Sequence, residues 1–339
     1  MMARSWIGIG LCLIGGLVLT STAVQQAKSA EKKIKIGVVE EARPEVEPWS
    51  LAWHNSVVAI KKKDPSISSI ETYNAYDATR AEPVIRQMLD SGVNVLALST
   101  YVLADVAKTV AKAYPHVPMV LTAFAVMQKP NLSSGTASYL EIGYSTCWLL
   151  TKMSHDGRIG VVGAQKAPFE TEIRTGCEMG AKAANPKAQL VTVYTNSFTD
   201  TQASHEQVEK LLDQGINNIV LSSGTGDAVG GLRLCETRKA HCATWGGDAR
   251  LWAPTGAVLT VELNWDVVLE DLVKQARTGK IGPPKEWDLT YGNKGLSAVD
   301  YSTSAAVNPA LRSEFKTVLA GLASRKIALP ASKAHPGFR

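Results

Sequence analysis

The chain is poor in the features that mark catalysis, metal binding or membrane residence. Past residue 30 no apolar run reaches the length of a bilayer span. There is no Cys-x-x-Cys and no His-x-x-x-His, and the six histidines are scattered, so no metal site is expected. Also absent are the Gly-x-Ser-x-Gly elbow, the phosphate loop of the Gly-x-x-x-x-Gly-Lys type and the His-Glu-x-x-His pattern. The run through Gly224, Gly226 and Gly230 misses the dinucleotide fingerprint, because its last glycine is one residue late and no pairing acid follows at the right distance. No cofactor is expected. An exported enzyme using Asp248, Glu170 or Glu172 is the least favoured reading, since nothing in their spacing sets two carboxylates across one site. The formal charge is only +5, and Lys61-Lys62-Lys63 reads as a solvated helix end, so no nucleic-acid partner is expected.

What is present is a balanced globular composition, 45% hydrophobic and 20% charged over 339 residues, enough for two ordinary domains. The N-terminus reads as a secretory signal: Arg4, an apolar stretch over 7–19, then Ser21-Thr22-Ala23 as a small-x-small cleavage site, with a second candidate cut after Ala30. Cys12 lies in a poor lipidation context. Export to the periplasm permits disulfides among Cys147, Cys177, Cys235 and Cys242. Four cysteines allow three connectivities; Cys235 with Cys242, closing a short loop between a helix end and the next strand, is the favoured pair.

An internal repeat sets the architecture. Residues 85–100 resemble residues 208–223, each reading as a helix end, a glycine cap (Gly92, Gly215) and a buried strand. The offset of 123 recurs between Ile36-Gly-Val-Val39 and Ile159-Gly-Val-Val162, and between Asp77 and Asp200. The first copy has strands near 35–39, 67–73, 95–99 and 119–123 and helices near 51–62, 81–91 and 103–113. The second has strands near 158–162, 189–194, 219–222 and 243–245 and helices near 169–184, 201–214 and 228–238. Alternating βα units build parallel sheets, so the expected fold is α/β: two similar lobes with parallel sheets, joined by a hinge. Lobe 1 takes 33–125 plus about 262–285. Lobe 2 takes about 140–256 plus part of 287–330.

Ligands bind open α/β sheets at the carboxyl ends of the strands. The loops there hold Trp49 and Trp53, then Ser99 and Tyr101, then Phe124 in the first lobe. In the second they hold Phe169 and Glu172, Phe198, Gly224 and Asp248, with Asn264 and Trp265 at the crossing. An aromatic-lined cleft with a few polar groups suits a flat, partly polar ring.

Ala97-Leu-Ser-Thr-Tyr101, Gly160-Val-Val-Gly163, Ala181-Lys-Ala-Ala-Asn-Pro186, Thr195-Asn-Ser-Phe-Thr-Asp200, Leu212-Asp-Gln-Gly-Ile216, Trp245-Gly-Gly-Asp248 and Leu259-Thr-Val-Glu-Leu-Asn-Trp265 follow one another in the order seen in the basic membrane protein family. The chain resembles that family over about 33–329. Its members are substrate-binding components of ABC importers related to purine nucleoside receptors. The resemblance implies a type I periplasmic binding protein fold that closes on its ligand, one ligand per monomer, and an ABC permease at the inner membrane as partner. It implies an aromatic sandwich in which Trp49 matches the stacking aromatic of the first lobe and Phe198 looks like its partner. Asp248 matches the acid that holds ribose hydroxyls, and Asn264 falls where nucleoside binders carry a lysine. That departure favours a nucleobase or similar small heterocycle over a nucleoside. A periplasmic sensory protein of the same fold is the alternative.

Overall fold

The computed structural model describes residues 32–73, 77–123 and 125–332. The signal reading at 1–23 and the site candidate Phe124 lie outside the described residues.

Two six-stranded sheets form the frame. The first is ordered β11-β5-β4-β3-β1-β2, from β1 (Lys35–Val39), β2 (Ser68–Thr72), β3 (Val95–Leu98), β4 (Met119–Thr122), β5 (Leu132–Ala137) and β11 (Glu286–Leu289). The second is ordered β12-β10-β9-β8-β6-β7, from β6 (Arg158–Gly163), β7 (Gln189–Tyr194), β8 (Asn218–Leu221), β9 (His241–Gly246), β10 (Ala257–Leu263) and β12 (Leu296–Val299). Every pair in the first sheet is parallel; in the second, β12 lies antiparallel to β10. Successive strands are therefore linked by helices: α1 (Pro48–Lys63), α2 (Ala78–Asp90) and α3 (Ala104–Ala113) in the first half, α5 (Pro168–Ala184), α6 (Thr201–Asp213) and α7 (Ala228–Arg238) in the second. Three further helices are α4 (Tyr139–Met153), α8 (Asp266–Thr278) and α9 (Pro309–Ala323).

The repeat is visible at residue level. α2 and α6 begin at residues 78 and 201 and β3 and β8 at 95 and 218, all at the offset of 123. Asp77 accepts from the backbone N–H groups of Thr79 and Arg80, and Asp200 from those of Gln202 and Ala203, so each caps its helix in the same way. Gly92 and Gly215 both adopt the left-handed conformation that ends those helices, at φ 95° and 78°.

Side chains alternate across each strand and sort into layers. Ile36 and Val38 face one core with Trp53, Val57 and Ile60 of α1, while Val39 faces another with Ile85, Leu89 and Val110 of α2 and α3. Val161 and Val162 divide in the same way in the second sheet. The first of these cores is common to both halves, running through α1, α4, α5 and α8.

Three elements escaped the sequence reading: β11, β5 and α4. β5 is built of small residues (Leu-Ser-Ser-Gly-Thr-Ala) with no alternation, yet all six are buried. It carries the first sheet past residue 125. α4 has no polar face: residues 139–151 are all buried, so the amphipathic period is missing. α4 packs on α5 at backbone contact. A Cβ at Gly143 would stand 1.9 Å from the Ile173 carbonyl oxygen, one at Gly176 2.2 Å from that of Leu140, and one at Gly180 2.1 Å from that of Tyr144. The Cys147–Cys177 disulfide ties the same two helices, and Cys235–Cys242 joins the end of α7 to β9. Among the described residues no helix is long and apolar enough to cross a membrane.

Candidate ligand-binding site between the two sheets

The chain passes between the sheets three times: from β5 into α4, from β10 into α8, and from β11 into β12. The crossings are bonded to one another. Ser138 N donates to Leu289 O (2.9 Å) and Asn264 N to Gly295 O (2.8 Å).

An aromatic cluster fills the middle. Trp53 stacks on Trp265 at 4.4 Å with rings 5° from parallel. Trp49 meets Trp265 and Trp245 edge-on, both at 5.8 Å, and Tyr139 meets Trp245 at 5.6 Å and Phe169 at 5.3 Å. Phe169 in turn stacks on Phe198 at 6.1 Å. Trp49 is therefore a core residue, 6% exposed, with Nε1 donating to Ser99 O (3.1 Å). It packs on Trp245 and Trp265, and Phe198 packs on Phe169. Gly224, in the left-handed region at φ 63°, gives room to Trp245, whose ring would come within 2.6 Å of a Cβ there. Trp245 and Tyr139, central to this cluster, were not among the site residues read from the sequence; a lone Trp at a strand end gives no signal of its depth.

The other candidates scatter. Tyr101 is 66% exposed, while Ser99 is buried. Glu172 is buried on α5 and accepts from Ser332 Oγ (2.5 Å). Glu170 ties the ends of two strands, accepting from Ala164 N (2.8 Å) and Ser222 Oγ (2.7 Å); burial pushes its carboxyl up to about 7. Asp248 is engaged by Arg250, whose Nε and Nη2 reach it at 3.0 and 2.7 Å. That guanidinium holds the Asp248 carboxyl below the usual carboxylate range, and it also approaches buried Asp300 at 2.9 Å. Asp300 accepts from Thr260 Oγ1 (2.7 Å).

Between the halves lies a cavity of about 510 Å³, within the range of small-molecule sites. One wall is the stripe Ala52, Ser56, Ala59 and Lys63 of α1, spaced three to four residues apart as a helix face requires. The opposite wall is Gly246–Gly247 at the end of β9 with Glu262, Leu263 and Asn264 at the end of β10; Asp266, Glu270 and Lys294 complete the rim. Asn264 is thus the member of the sequence-read set that faces this space. Its Nδ2 donates to Lys294 O (2.8 Å) and Ser297 Oγ (3.3 Å), which fixes the amide. Glu262 and Lys294 had no local motif to mark them; the antiparallel pairing of β12 with β10, strands separated by α8 and β11 in the chain, brings them here.

Beside the cavity the first half grips the second through residues 44–51. Gly247 N donates to Pro48 O (2.7 Å) and Trp252 Nε1 to Glu45 O (3.1 Å). The bare glycines accept this approach: a Cβ at Gly246 would lie 2.8 Å from Pro48 backbone, one at Gly247 2.5 Å from Leu51 Cγ. Under this segment sits Glu40, fully buried and with neither carboxyl oxygen hydrogen-bonded. Burial, then the neighbouring Glu71, Glu47 and Glu45, push its carboxyl up to about 9.

Two α/β lobes joined by several crossings, with a polar cavity between them, define a solute-binding protein of the periplasmic binding protein fold. Solved structures agree at the level of fold. An ABC transporter solute-binding protein from Conexibacter woesei superposes with a TM-score of 0.74 at 23% identity, covering 88% of this chain and 98% of that one. The family model described as ABC transporter substrate-binding protein PnrA-like matches residues 33–290, so the chain belongs to that family. The family binds solutes and is not enzymatic. Among curated relatives, basic membrane protein A1 of Borrelia garinii is 29% identical over 150 residues, 43% of this chain and 44% of that protein. A purine-binding protein of Brucella abortus is 23% identical over 257 residues, 75% of this chain and 71% of that one. The chain thus spans less than half the length of the first of these relatives.

Proposed function

We propose that the protein captures a small heterocycle, a purine base or nucleoside-like molecule, in the cavity between its halves and delivers it to the permease of an ABC importer. The observation that carries this reading is the cavity itself: α1 of one half and the β9 and β10 ends of the other both wall it, so an occupant contacts both and favours their closure. The Brucella relative is a purine binder by name, which supports the ligand class. Asp248 is committed to Arg250 and not open to ribose hydroxyls, which favours a base over a nucleoside. The protein works in the periplasm as a monomer, after removal of the N-terminal signal.

A thermal-shift panel of nucleobases, nucleosides, sugars and amino acids tests this. A ligand at 100 times its Kd stabilises the fold by about 2.7 kcal/mol. A shift with a purine supports the reading; shifts confined to sugars or amino acids would sink the ligand class while keeping the fold.

A further inference from the structure

The charges around the cavity are unequal. Glu262, Asp266 and Glu270 line it against Lys63 and Lys294. Lys63 is taken by Asp266 and Glu270, at 2.8 and 2.6 Å. Immediately behind the Gly247 wall, Arg250 is taken by Asp248 and Asp300. Lys63 and Arg250 are thus each shared by two acids, and Glu262, half-buried, is left with Lys294, which lies on the exposed rim and makes no ion pair among the described residues. Burial and then the negative charges of Asp248 and Asp300 push the Glu262 carboxyl up, against the pull of Arg250 and Ser297. Hydrogen-bonding capacity leans the same way. Asn264 spends its N–H groups on Lys294 O and Ser297 Oγ, so its Oδ1 is what remains to meet a ligand. The Gly247 N–H, the backbone donor at this wall, is spent on Pro48 O.

We propose, on the reading that this cavity is the ligand site, that it selects N–H-rich, amino-substituted heterocycles, neutral or cationic, and rejects anionic ones, with Glu262 and Asn264 Oδ1 accepting from the ligand's amino and ring N–H groups. An anion here would meet three carboxylates against two lysines, one of them, Lys63, already taken by Asp266 and Glu270; the open donors are Lys294 and the Asn55 amide at the rim. An amino group adds donors and relieves the crowding of Glu262 against Asp248 and Asp300.

The test is calorimetric titration with two pairs at pH 7.4, adenine against urate and cytosine against orotate, on the intact protein and on Glu262→Gln. The amino member of a bound pair is expected to bind at least about tenfold tighter, and Glu262→Gln to cut that ratio by about tenfold, as loss of a charge-assisted hydrogen bond does. Equal or tighter binding of urate or orotate overturns the inference, as does a ratio unmoved by Glu262→Gln in a variant that melts normally. Preference within the cytosine pair with no purine bound sinks the purine reading and keeps the charge rule. Silence across all four compounds overturns both.

Discussion

Gly247→Ala isolates the contact between the two halves. The added methyl would stand 2.5 Å from Leu51 Cγ and 2.7 Å from Leu51 Cβ, well inside van der Waals contact. Such overpacking costs about 1–3 kcal/mol. Residues 44–51 meet Gly247 only while the halves are together, so the cost falls on the closed form, and ligand affinity drops by the reduction in its population. At 2 kcal/mol that is at most about 30-fold. Titration of the ligand gives the affinity, and small-angle scattering of ligand-free protein gives a larger radius of gyration. Leu51→Ala added to Gly247→Ala removes the contacts with Leu51 Cγ and Cδ2 but keeps that with Cβ at 2.7 Å, so it recovers part of the loss, a coupling that additive effects do not produce. Unchanged affinity and scattering in Gly247→Ala would refute the claim that this contact belongs to closure.

Gly176→Ala, whose Cβ would meet the Leu140 carbonyl oxygen at 2.2 Å, forces α4 from α5 and lowers the urea midpoint by at least about 1–3 kcal/mol of stability. Replacing Cys147 and Cys177 by serine, which opens a link across 30 residues, costs about 3.5–4 kcal/mol in the loop-entropy picture. The same change at Cys235 and Cys242, separated by 7, costs about 2.5 kcal/mol, and chemical denaturation ranks them. Glu40 binds its proton more tightly folded than unfolded, so the unfolded state releases it first and stability falls as pH climbs from about 4.5 toward 9. Glu40→Gln therefore raises the melting midpoint at pH 8 and barely at pH 5; equal effects at both would contradict the assignment.

The order of strands and helices was legible because each local signal agreed with the others: Asp caps, glycine stops and apolar strands recur at one offset in both halves. β5 and α4 were not legible, because their surroundings rather than their own patterns make them buried. The site was legible less well. Aromatic residues at strand ends were read as cleft walls; in the structure Trp49 and Trp265 are buried against one another in the core that joins the halves. Asp248 reads as an open carboxylate until Arg250, two residues on, folds back on it. Glu262 becomes visible only when β10, α1 and the turn before β12 come together, a conjunction without any sequence signature.

The central claim is that the cavity along α1 is where ligand binds. Calorimetric titration of adenine into the protein and into Ala59→Trp, which fills the cavity from the α1 stripe, tests it most directly. One site per chain, weakened at least about 30-fold in a variant that melts normally, is the predicted result. Binding of equal strength and stoichiometry in Ala59→Trp would place the ligand elsewhere and contradict the account.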